Sequence, residues 1–186
     1  MLLDIGAGIL AALFVGRWFY LPITASWVGA GIIFALLPDA DYLLHLARGG
    51  TVHNASRHRD LLHYPLVFAL IAVALGHLFG GPWKYLFFFA TWFHFLHDSI
   101  GIGWGVQWLY PITNDHYSFL YLYHPKGKPR FPKKWIYVFD HEEIDRLHET
   151  HGDPDWFEHI YLKLHPYAII EFVGFIGAII AFFLLT

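Results

Sequence analysis

Hydrophobic and polar residues follow one another along this chain in long blocks, not with the short periods of a soluble amphipathic fold. From Leu2 to Leu37 only Asp4 and Arg17 carry charge, and Pro22, just after the amphipathic cluster Arg17-Trp18-Phe19-Tyr20, reads as an interfacial turn. The pattern predicts two short helices, about 3–17 and 22–37. The first is marginal against the roughly 20 residues of a full membrane span, so one tilted or interfacial helix is the alternative. Leu37-Pro38-Asp39-Ala40-Asp41 then opens a new helix, with proline suited to its first turn and Gly49-Gly50 as its stop. A polar segment, 38–63, is followed by an uncharged apolar run over 64–82 that ends in the turn Gly80-Gly81-Pro82. A further apolar run, 84–100, carries Trp92-Phe93-His94-Phe95-Leu96-His97-Asp98 near its end. The region 101–166 is polar and aromatic, too long and too charged for a simple loop, and is expected to hold short helices at about 140–151 and 154–164. The last apolar run, 167–186, is broken only by Glu171.

This layout predicts an all-α fold. It is a polytopic membrane helical bundle of four or five transmembrane helices forming a single membrane-embedded domain over 1–186, with short interfacial helices capping the polar groups. Composition agrees, since 56% of residues are hydrophobic, 20% are aromatic and only 15% are charged, far from an ordinary soluble domain. The net charge of −3 and the scattered Lys and Arg residues give no nucleic-acid footprint. No basic residue precedes Arg17, so the N-terminus lacks the n-region of a cleaved signal peptide and is expected to be retained. Cysteine is absent, which leaves histidine, carboxylate and backbone to hold any metal.

The chemistry sits where the blocks meet. An ionisable group at the end of an apolar segment is costly unless paired, hydrated or metal-bound. If 84–100 is helical, His94, His97 and Asp98 project to one side. If the chain leaves the bilayer at Pro38, returns at Tyr64 and leaves again near Asp98, then Asp39/Asp41, His58/His63 and His94/Asp98 emerge at one membrane face. Together they offer at least six oxygen and nitrogen ligands, enough for one or two divalent ions with positions left open for water. Zinc is the first choice, and manganese, iron or magnesium accept similar donors. His63 is read as a ligand or acid/base group, while His97 is a third ligand, a supporting hydrogen-bond partner or a proton shuttle. Arg57 or Arg59 suits a phosphate oxygen. One or two of the histidines from His116 to His165, or Asp115, offer a second metal position. The five basic residues in 126–134 read as a solvated, lipid-facing loop. Ten of the 12 Lys and Arg residues fall on the site side of this topology, which turns the site toward the cytoplasm.

Leu-Pro-Asp-x-Asp at 37–41, His-Arg-x-x-x-His at 58–63, His-x-x-x-Asp at 94–98 and the glycine-rich run into Leu109-x-Pro111 resemble the YdjM-type membrane-bound metal-dependent hydrolases. The resemblance covers about 36–113. It implies a prokaryotic inner-membrane location and identifies Asp39, Asp41, His58, His63, His94 and Asp98 as motif positions. Members of that family are similar, in their metal ligands, to zinc-dependent phospholipase C and P1-type nucleases. Asp60 and Leu61 stand where the family often has Gly-x, and Tyr64 where a small hydroxyl residue is common. The expected function is therefore metal-dependent hydrolysis of a phosphoester, with a membrane lipid as substrate and Arg59 set against the developing negative charge. A divalent-metal transporter and a metal-stabilised membrane scaffold are the non-enzymatic alternatives. A di-iron oxidase is disfavoured because the chain lacks clustered His-x-x-His-His boxes.

Overall fold

The structure of the protein, a computed structural model, describes residues 2–49 and 62–186. Seven α-helices are found among the described residues: α1 (Leu2–Trp18), α2 (Ala25–Leu36), α3 (Ala40–Ala47), α4 (Pro65–Phe79), α5 (Gly81–Asp98), α6 (Ile144–His151) and α7 (Pro166–Leu185). A 3-10 turn at His141–Glu143 leads into α6, and a π-helical turn at Glu158–Leu162 follows it. Two four-residue strands, β1 (His116–Phe119) and β2 (Ile136–Phe139), complete the described elements.

Two expectations change. The fold is mostly helical but not all-α, because β1 and β2 form an antiparallel pair with His116 opposite Phe139 and Phe119 opposite Ile136. Lys-Trp-Ile-Tyr-Val-Phe at 134–139 is a β-branched and aromatic run that favours a strand once a partner is supplied. Four or five full spans are likewise not carried by helix length. Among the described residues only α7, at 20 residues, is long and apolar enough to cross a membrane. α1, α2 and α4 have 17, 12 and 15 residues, and α5 includes Lys84, His94, His97 and Asp98, so each falls short in length or in apolarity.

The chain divides into two compact units. The first takes the described parts of 1–38, 67–94 and 166–186. In it α1 packs against α2 and α7, and the apolar core is built around Ala12, Val15, Val28, Leu86 and Ala90. Small residues let the backbones meet: a Cβ on Gly8 would stand 2.6 Å from the Gly31 carbonyl oxygen and from Ile32 Cα, the close approach that glycine permits between apolar helices. Trp27 Nε1 donates to the Ala12 carbonyl at 2.9 Å and fixes α2 on α1. Thr24 Oγ1 caps α2 by accepting from the Trp27 amide at 3.2 Å. Arg17 donates to the Leu185 carbonyl at 2.8 Å, placing a cation on the C-terminal end of α7.

The second unit takes the described parts of 39–66 and 95–165. Its core clusters Tyr137, Phe139, Ile144 and Leu147 against Trp104, Leu122 and Phe131. β1 is sewn to the end of α5 through Ser99, whose carbonyl accepts from the Phe119 amide at 2.6 Å and from Ser118 Oγ at 3.0 Å. Trp108 Nε1 donates to Ser99 Oγ at 2.7 Å. Gly105 has φ of +84°, and a Cβ there would collide with the Tyr117 carbonyl, so the glycine-rich run after α5 serves the return of the chain to β1. α5 itself is unbroken, and its last turn belongs to this unit.

Candidate metal centre

Three short pieces of chain bring the central groups together. Asp39 precedes α3 and Asp41 lies in its first turn. His63 stands two residues before α4, in a segment fixed by the Leu62 amide, 3.4 Å from Asp41 Oδ2, and by Tyr64 stacked on Tyr110 with centroids 4.1 Å apart. Asp98 ends α5, where the Ser99 contacts hold the helix terminus.

His63 is fully buried and lies between carboxylates on both ring nitrogens. Nδ1 is 2.8 Å from Oδ2 of the fully buried Asp41. Nε2 is 3.1 Å from Asp98 Oδ2 and 3.9 Å from Asp39 Oδ1. A neutral imidazole carries one N–H. With Nδ1–H donated to Asp41, the lone pair on Nε2 faces two carboxylates, and that arrangement is stable only with a positive charge between them. Burial opposes protonation of His63, but the hydrogen bonds and charges of Asp41 and Asp98 outweigh it and raise its pKa from 6.5 to about 9. A proton therefore occupies the place that a cation would otherwise take.

Within this unit Asp39, His63 and Asp98 each present a ligand atom, and these atoms lie within 4.8 Å of one another. His94 stands one turn before Asp98 on α5. Two carboxylates balance a divalent ion in charge, and with an imidazole the mixed nitrogen and oxygen set suits zinc, iron or manganese. The donor set thus fits a metal on its own chemistry.

The sequence-predicted residues fall into three groups. Asp39, His63 and Asp98 come together within the second unit, and His94 lies one turn before Asp98 on α5. Asp41 lies against the other nitrogen of His63, the arrangement in which an outer carboxylate fixes the tautomer and raises the basicity of a ligating histidine. His58, Arg57 and Arg59 lie outside the described residues. His97 is half-buried on the last turn of α5 and is not among these donors. Of the later residues, His116 Nε2 lies 3.2 Å from His141 Nδ1 and Asp115 accepts from Thr113 Oγ1 at 2.7 Å. Among the described residues these form no second group of three metal donors.

Sequence reasoning missed Asp4. Inside the first unit its Oδ1 comes within 3.3 Å of His94 Nδ1, and both side chains are buried. Asp4 stands to His94 as Asp41 stands to His63, a carboxylate behind an imidazole. The available signal was its position as the only acidic residue of the first apolar run.

Comparison with known proteins agrees with a membrane location. Residues 4–153 match the family model for the YdjM inner membrane protein. The inner membrane protein YbcI of Escherichia coli (strain K12) is 35% identical over 97 residues, which is 47% of this chain and 55% of that relative. The matched stretch therefore spans about half the length of the relative. No solved structure matches the chain. A family match that runs from Asp4 through Asp39, His63, His94 and Asp98 and beyond the strand pair establishes that the chain belongs to the YdjM inner membrane protein family.

Proposed function

We propose that this chain is a membrane-bound metal-dependent hydrolase that cleaves a phosphoester, with a lipid as substrate and the site turned toward the cytoplasm. The observation that carries the reading is the lone-pair face of a buried histidine set against Asp98 and Asp39 at 3.1 and 3.9 Å. That face attracts positive charge, which a proton supplies when no metal is bound and a divalent cation would supply in its place. A divalent cation, when bound, supplies Lewis acidity and lowers the pKa of its water to about 7. Asp39, His63 and Asp98 would hold it, with His94, one turn before Asp98 on α5, as the proposed fourth ligand; Asp41 would orient the His63 ring and Asp4 the His94 ring. His97, adjacent to Asp98 in sequence, is the proposed proton donor to the leaving oxygen. Arg59, with His58 in the same His-Arg motif, is proposed to neutralise phosphate charge. The lipid assignment rests on membrane location together with this chemistry.

The experiment is an activity panel of phospholipids and polyprenyl phosphates with the full chain in detergent or nanodiscs, before and after chelation. Elemental analysis of the wild type beside His63→Ala and Asp98→Ala accompanies it. Bound metal, lost in both variants, with hydrolysis that disappears on chelation and returns with added metal, is the expected result. Hydrolysis unchanged by complete metal removal overturns the mechanism. Metal that is bound without any turnover, with cation flux in proteoliposomes, assigns the site to transport.

A further inference from the structure

β2 breaks the pattern of a small sheet with one face on a core. Tyr137 and Phe139 turn inward to Ile144 and Leu147. On the other face a solvated antiparallel strand carries polar side chains, but here Ile136 and Val138 are each 55% exposed, and register sets them opposite Phe119 and Tyr117. Trp135, immediately before the strand, is 81% exposed. A surface of this kind is an aggregation hazard unless something apolar covers it.

The charge around the face says what covers it. Lys133 and Lys134 adjoin Trp135, and Arg130 and Lys126 precede them, all exposed. Between His116 and Phe139 the chain has five Lys or Arg residues and no Asp or Glu. We propose that this face docks on anionic lipid, with Trp135, Ile136 and Val138 seated in the bilayer interface and Lys133, Lys134 and Arg130 on headgroup phosphates. Exposed tryptophan beside lysine is the composition of an interfacial anchor, and clustered cations next to a membrane segment are drawn to acidic lipid. A second copy of this chain is a poor occupant, because a two-fold contact would set the same cations against one another. None of these residues is a metal donor, so docking does not depend on the activity of the metal centre.

The absence of cysteine makes the test clean. The full chain carrying Val138→Cys, labelled with an environment-sensitive fluorophore, is placed in nanodiscs of phosphatidylcholine alone or with phosphatidylglycerol. Docking is read as a blue shift and as protection from an aqueous quencher. The expected result is protection in the acidic discs that is lost at high salt. Lys133→Gln with Lys134→Gln lowers the docked-to-undocked ratio by roughly 25-fold, at about fivefold for each cation held at an acidic surface. Val138, Lys133 and Lys134 are exposed, so these changes leave the packed core in place. Equal exposure of the label in both lipids, indifferent to the lysines, overturns the proposal. Protection that appears in detergent and grows with protein concentration also overturns it, in favour of a second copy.

Discussion

Asp41→Asn separates the two roles that the Asp39/Asp41 pair permits. Asp41 Oδ2 accepts from His63 Nδ1 at 2.8 Å in a fully buried setting, a charge-assisted bond of about 1.5–3 kcal/mol. Removing an outer carboxylate behind a ligating histidine usually weakens metal binding by roughly 10–100-fold, which is about 1.4–2.8 kcal/mol, so two independent scales agree. Asparagine keeps an acceptor oxygen for Nδ1–H but loses the charge, which puts Asp41→Asn near the lower end and Asp41→Ala near the upper. His63→Ala removes a ligand outright and should lose more than either. Metal affinity is read by competition with a chromophoric chelator on the purified full chain, and the expected order of tightness is wild type, Asp41→Asn, Asp41→Ala, His63→Ala. An Asp41→Asn protein as defective as His63→Ala would make Asp41 a direct ligand and refute the assignment. Unaltered affinity in Asp41→Ala would refute the coupling itself.

The same logic applied to His94 predicts that Asp4→Asn weakens metal binding by roughly 10–100-fold although the substitution lies on the first helix of the chain; equilibrium competition with the same chelator checks it. Without metal, His63 titrates at about 9 in place of 6.5. A pKa raised on folding contributes its full stability below pH 6.5 and loses it as pH rises through about 9, a loss of about 3 kcal/mol at 1.36 kcal/mol per pH unit. Thermal unfolding of the chelated protein should therefore shift downward across that window, while a flat profile would contradict the buried ion pair. Gly8→Val forces a side chain onto the Gly31 backbone and should cost about 1–3 kcal/mol by overpacking. Gly29→Ala, with nothing within 4 Å of the new Cβ, should leave the melting temperature in detergent unchanged or slightly raised.

What was legible came from local pattern. The apolar blocks located the helices because a long uncharged run satisfies its backbone only within a helix, and His94 and Asp98 were placed together because four residues make about one helical turn. The alternation of polar and apolar segments also indicated that Asp39, His63 and Asp98 come out near one another. The strands were missed for the opposite reason. His116–Phe119 and Ile136–Phe139 are four residues each, too short for a period of two to stand out in an aromatic region, and each needs the other across the intervening residues 120–135.

The sequence by itself therefore determined residue types and their spacing along helices: a cysteine-free donor set of histidine and aspartate, the final apolar run that forms α7, and the basic stretch beside Trp135. Only the tertiary structure decided which atom faces which. A spacing of two between Asp39 and Asp41 does not reveal that one looks at Nε2 of His63 and the other at Nδ1, yet that difference makes one a ligand candidate and the other its support. Nor does spacing bring Asp4 to His94, 90 positions along the chain. Hydrogen-bond direction and metal geometry act over a few ångströms, and chain separation does not measure those distances.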